Sequence, residues 1–207
     1  MNKRASFWQK PKKQGDCDGW CGPYSLINAT RRMVGLKVER DCNILMLAFQ
    51  LALNNRKKPF QKISDGVRLY DMLYVIRMVL STNYKVKYVR LFAKRSNVGL
   101  PEFWETCAKF LKEHRRAVIV LPIEALFDSH WTVAWQITEE TMEVLDSGDL
   151  ENIPLAQCTM DESSAIDEYR FLPSQTIFLY SERTRAEYRI VPNLKSKMRQ
   201  IELGDGK

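Results

Sequence analysis

The sequence predicts an α+β protein, with a mainly helical N-terminal half and an antiparallel sheet in the C-terminal half. Apolar residues recur at helical spacing through the first 80 positions. Short alternating segments bounded by turn residues follow in the second half. Helices first and strands after give an α+β arrangement, here two halves meeting across a cleft. The reading is of a single domain over 1–207: a basic arm (1–13), a helical half (14–113), a sheet half (114–192) and a basic tail (193–207).

The first predicted helix runs from Cys21 to Val34, with Leu26, Ile27, Thr30 and Val34 on one side. Pro23 falls in its opening turn, where a missing donor costs nothing. Asp41–Leu53 is strongly apolar and reads as a mostly buried helix. Gly66–Leu80 repeats apolar residues at helical spacing after the start signal Ser64–Asp65. Tyr84–Phe92 alternates basic with apolar residues and predicts a half-exposed strand. Pro101–Leu111 reads as a further helix. Strands are expected over Ala117–Ile123, His130–Ile137, Met142–Leu145 and Thr176–Tyr180.

The 207 residues suit one sizeable core, and 45% hydrophobic with 28% charged residues excludes a disordered class. No apolar run approaches the roughly 20 residues of a membrane-spanning helix. The N-terminus is basic and lacks the apolar stretch of a secretory signal. Two locations stay open: the cytoplasm, or export without a cleaved signal. Five cysteines, an odd number, fit free thiols in a reducing compartment better than a disulfide framework. Cys17 and Cys21 are close, but no second such pair exists to complete a zinc site, so neither metal nor cofactor is expected.

The net charge is +7, with basic clusters at Lys10–Lys13, Arg56–Lys58, Lys112–Arg116 and Arg183–Arg199. Such a surface favours anionic partners, and equally it can be a solvated face that aids solubility. No nucleic-acid-binding motif accompanies it, so a nucleic-acid partner is not expected.

Chemistry concentrates in two windows, Gln14–Thr30 and Ser129–Asp149. Cys21 is the candidate nucleophile: Gly22 and Pro23 turn the chain into a helix, leaving the sulfur exposed at the helix N-terminus, where a thiolate gains from the dipole. Its backbone N–H is then free for an oxyanion. Cys17 is the rival, but Asp16 and Asp18 flank it and disfavour a thiolate. Gln14 would add a side-chain N–H to the oxyanion site; taken alone it reads as a surface glutamine in a basic tail. His130 is the candidate base. The only other histidine, His114, lies in the basic run KEHRR, where a solvent-facing position is expected. Trp131 would point to the opposite face of the strand. Asp146 would hold the imidazole from the neighbouring strand of a hairpin turning at Thr138–Thr141; Asp149 is the runner-up, and a simple Asp-Ser-Gly turn the structural alternative. Trp20, Trp131 and Trp135 lie close in sequence to these residues.

On Gln14, Cys21, His130 and Asp146 the chain resembles the papain-like cysteine peptidase superfamily, particularly its compact staphopain-type and bacteriocin-processing-type members. There a Gln precedes a Cys that opens a helix, and a His on a strand is followed by an Asn or Asp. Gln14 lies seven residues before Cys21 where that family usually has six. The stretch HWTVAWQITEETMEVLDS is also similar to the His–Trp to Asp–Ser stretch of ubiquitin-like-protein proteases, which carry their cysteine after the histidine. The resemblance covers about 40 residues in the two windows and implies a papain-like fold and thiol-dependent cleavage of a peptide or isopeptide bond. The partner it implies is a protein or peptide substrate, with an acidic or ubiquitin-like protein in view. The same apparatus serves a deamidase or transglutaminase-type acyl transferase, including one acting as a secreted effector. The opposing class is a non-catalytic papain-like binding module with a basic surface.

Overall fold

The computed structural model describes residues 11–13, 20–36, 39–54, 66–95, 97–125, 128–161 and 168–182. Helices α1 (Cys21–Val34), α2 (Glu39–Asn54) and α3 (Leu69–Val75) occupy the first half. α3 continues through a π-helical turn, Ile76–Ser81, into a last helical turn, Thr82–Tyr84. A short strand, β1 (Lys87–Val89), precedes α4 (Leu100–Glu113). The second half is β2 (Ala117–Ala125), β3 (Asp128–Ile137), β4 (Thr141–Val144), β5 (Asn152–Pro154), β6 (Cys158–Thr159), β7 (Tyr169–Phe171) and β8 (Ile177–Tyr180). The α+β character and the helical and sheet halves are as the sequence predicts.

The strands form one sheet ordered β1-β8-β2-β3-β4-β5, with β7 beside the far end of β2 and β6 beside β7. Every pairing is antiparallel except β6 with β7, which is parallel. β2 is apolar on both faces, the mark of a central strand. Its even positions Val118 and Val120 join a core with α1, α2 and α3. Its odd positions Ile119, Leu121 and Ile123 join a second core built on α4. In that second core Phe178 meets Phe92 and Phe110 with ring centroids 5.9 and 4.9 Å apart. The sheet is thus a middle layer. α4, the last helix of the helical half, covers the opposite face of the sheet from α1–α3, because its apolar stripe Phe103, Cys107 and Phe110 packs into the second core.

The helix ends follow their chemistry. α1 stops at Gly35, which takes the left-handed conformation (φ 78°) and donates its N–H to the Arg31 carbonyl at 2.9 Å. α2 opens with Glu39 and Asp41, and α4 with Gly99, Pro101 and Glu102. Two indole N–H groups then fasten the layers: Trp104 to the Thr138 carbonyl at 2.8 Å and Trp131 to the Val67 carbonyl at 3.0 Å.

The strand expected over 84–92 shrinks to Lys87–Val89. Tyr84 is buried at the end of α3, Lys85 turns the chain with φ 53°, and residues 91–94 form a turn. No described helix is long and apolar enough to cross a membrane.

Candidate active site

Cys21 is the first residue of α1, and Trp20 before it supplies no side-chain cap. The first intrahelical bond is Tyr24 N–H to the Trp20 carbonyl, at 3.0 Å. Pro23 has no N–H, so the amides of Cys21 and Gly22 are the donors left at the positive end of the helix. Gly22 is required there by packing. A Cβ at that position would lie 2.7 Å from Met72 Sδ and 3.4 Å from Val67 Cβ, so only glycine lets the helix start this close to α3. The close seating has a second effect. Cys21 is only 9% exposed, so the expectation of an openly exposed sulfur is corrected: the thiol sits in a recess.

Two side chains of α1 fix the helix on the sheet. The Ser25 hydroxyl donates to the Trp131 carbonyl at 2.7 Å. Asn28 is buried; it accepts from Lys12 N–H at 2.6 Å and donates to the carbonyls of Lys12 at 3.2 Å and Leu145 at 3.5 Å. The nucleophile's helix is thereby tied to β3 one residue after His130, and to the chain one residue before Asp146. Sequence reasoning did not single out Ser25 or Asn28. A small polar residue on an otherwise apolar helix face was the available signal.

β3 and β4 form the expected hairpin. Thr138 N–H donates to Thr141 O at 2.8 Å, and the Thr138 hydroxyl accepts from the N–H of Thr141 at 3.0 Å. Leu145 extends the ladder, its N–H 2.8 Å from the Val133 carbonyl. Strand alternation then puts Trp131, Val133 and Leu145 on the α1 side of the sheet.

His130 Nε2 lies 2.8 and 3.0 Å from the two Asp146 carboxylate oxygens. With Nε2 so engaged, Nδ1 remains for Cys21, whose side chain is near enough to favour the charged imidazole. Burial by itself would lower the His130 pKa. The hydrogen bonds to Asp146 and Cys21 and the charges they carry outweigh it and raise the value from 6.5 to about 10. For Asp146, 2% exposed, burial pushes the pKa up; the His130 hydrogen bond and charge and the Gly148 N–H, 2.5 Å from Oδ2, bring it below the ordinary carboxylate value. The buried Thr132 hydroxyl favours the same charge from nearby without meeting the geometry of a well-formed hydrogen bond.

The structure therefore pairs His130, near the start of β3, with Asp146, two residues past the end of β4, and sets Cys21, at the start of α1, near enough to act on the imidazole. Asp149, the runner-up, is exposed and instead pairs with Lys13 Nζ at 3.2 Å. Lys13 Nζ also donates to the Gly148 carbonyl, so the segment leading to Gln14 is tied to the loop after Asp146. Gln14 and Cys17 lie outside the described residues.

The other ring residues have structural places of their own. His114 is half-buried: its ring lies tilted between Phe110 and Tyr180, each centroid 4.6 Å away, at the C-terminal end of α4. Trp131 is a buried anchor. Trp135 belongs to the opposite end of β3, where Arg32 lies 4.5 Å above its ring.

The cysteines at 21, 42, 107 and 158 are free. Burial raises the thiol pKa of Cys42 and Cys107 and takes that of Cys158 to about 12, so those three are held as thiols. Among the described residues no three His, Cys, Asp or Glu side chains converge where a metal could bind. No protein-family model matches the chain, and no curated protein matches it in sequence.

Proposed function

We propose that this chain is a papain-like cysteine peptidase, acting on a peptide or isopeptide bond of a protein substrate. The observation that carries the reading is the imidazole of His130 fixed by the buried Asp146 carboxylate, with the thiol that opens α1 near enough to favour its charged form. Each residue has a chemical task in that arrangement. The Cys21 thiolate, facing the imidazolium, adds to the carbonyl carbon, and the oxyanion forms against the Cys21 N–H at the helix start. His130 passes its proton to the leaving amine, and the C–N bond breaks to leave a thioester. His130 then takes a proton from water; the hydroxide adds to the thioester, and the acid leaves as Cys21 is regenerated. Asp146 fixes the tautomer of the ring and stabilises its charged form whenever the proton is on it. Gln14 is the proposed second oxyanion donor, worth about a hundred- to a thousandfold in rate.

The test is incubation of the full chain with a proteome-derived peptide mixture, read by mass spectrometry against Cys21→Ala. Cleavage products that need Cys21 are expected. Loss of ammonia without cleavage would assign a deamidase, an amine adduct a transferase. Identical spectra with Cys21→Ala would end the enzyme reading in favour of a binding module.

A further inference from the structure

At the end of the molecule away from Cys21, a groove of about 940 Å³ runs between the C-terminal turns of α1 and α4, floored by the end of β3. α1 has 14 residues, so this groove lies about 20 Å along the helix from Cys21. Arg32, Lys109, Lys112, Arg115 and Arg116 line it against a single acid, Glu105. Cations at helix C-termini are ordinary, since each helix end carries about half a negative charge. Two such ends and Glu105 amount to about two negative charges, fewer than the five cations. Among the described residues, only Lys109 of Arg32, Lys112, Arg115 and itself has a carboxylate partner, Glu113 at 3.9 Å. The excess is local and positive.

The floor is also built in an unusual way. β3 and β4 slip register at Trp135: Ala134 pairs with Val144, but Gln136 pairs with Glu143. Trp135 is the extra residue of a bulge, a feature that re-aims a side chain. It is half-buried in the groove with the Arg32 guanidinium 4.5 Å over its ring. That stack holds a cation in place without a carboxylate to neutralise it.

We propose that this groove binds an acidic segment of a partner protein. The choice between anions follows from what the groove offers. A compact phosphate is best held by converging backbone N–H groups, as at a helix N-terminus. Here both helices present carbonyls, which repel a phosphate and accept hydrogen bonds from peptide N–H groups. The cations are spread along the groove, and Leu111 and Ile137 supply apolar wall between them. Spaced carboxylates, apolar side chains and N–H donors together are the chemistry of an acidic peptide. The site is independent of the chemistry at Cys21.

The experiment is fluorescence anisotropy of a labelled peptide of alternating glutamate and leucine, titrated with the full chain carrying Cys21→Ala at about 50 mM salt. Arg32→Glu with Arg115→Glu is expected to weaken binding by at least about tenfold. The charge-matched pair Lys85→Glu with Lys94→Glu, outside the groove, is expected to weaken it by less than about threefold. Circular dichroism checks folding, and Arg32→Gln with Trp135→Phe, a milder pair, should give an intermediate loss. Equal weakening by the two charge-reversed pairs would show only a diffuse basic field and overturn the proposal. Absence of binding to the parent chain would do the same. Stronger binding of inorganic tripolyphosphate or oligothymidylate, lost with the same groove variants, would reassign the site to phosphate ligands.

Discussion

Replacing Asp146 by asparagine tests the electrostatics of the site at their source. The change keeps size and one acceptor oxygen but removes the charge that faces His130 Nε2 at 2.8 and 3.0 Å. A net rise in the imidazole pKa from 6.5 to about 10, reached against the lowering effect of burial, corresponds to about 5 kcal/mol of preference for the imidazolium, with Asp146 and Cys21 the groups that raise it. If Asp146 supplies half or more, Asp146→Asn lowers the titration by about two pH units. The assay is an NMR titration of the imidazole C–H resonances. The chain has two histidines, so a single His114→Gln variant assigns both signals. In the parent chain His130 should titrate well above 8. In Asp146→Asn it should move clearly toward 6.5, and in Cys21→Ala it should move less. A parent His130 that titrates near 6.5, or one that Asp146→Asn leaves unmoved, would refute the reasoning.

Further consequences concern stability. The raised His130 pKa stabilises the fold fully below 6.5, and this contribution is lost as pH climbs through about 10. The lowered Asp146 pKa gives a contribution present above 3.8 and lost as pH falls through the folded value. In urea denaturation, the stability difference between parent and His130→Gln should therefore be largest between about pH 4 and 6.5 and shrink above; a difference that grows with pH contradicts the assignment. Gly22→Ala should cost about 1–3 kcal/mol, because Met72 is fully buried and has little room to yield. In a Met72→Ala background the penalty should vanish, and its persistence would place the strain elsewhere. Asn28→Ala should cost about 1–3 kcal/mol by leaving the part-buried backbone groups of Lys12 and the buried Leu145 carbonyl unpaired; no loss would mean that water takes over those bonds.

Much of this arrangement is legible in the sequence because it is local. α1 begins at Cys21 and ends at Val34 as periodicity and Pro23 indicate, and the Thr138–Thr141 turn brings Asp146 back beside His130 as hairpin spacing requires. Other features are set by partners far away in the chain. β5, β6 and β7 are two or three residues long, too short to show alternation, and exist through pairing with β4, β7 and β2. The side of the sheet taken by α4 depends on which face is still uncovered, and no window of the sequence records that. The burial of Cys21 comes from Gly22 meeting Met72 and Val67 across the fold. Trp135 reads as one more residue near the site in sequence, but five residues of extended strand carry it to the far end of β3, under Arg32.

The most direct test of the central claim is the rate of alkylation by iodoacetamide at mildly acidic pH, mapped to each cysteine. The three cysteines held as thiols by burial, Cys42, Cys107 and Cys158, supply internal references. The account predicts that Cys21 reacts at least about a hundredfold faster than these, and that His130→Ala abolishes the advantage. Slow labelling of Cys21 at the rate of the other three, unchanged in His130→Ala, would contradict it.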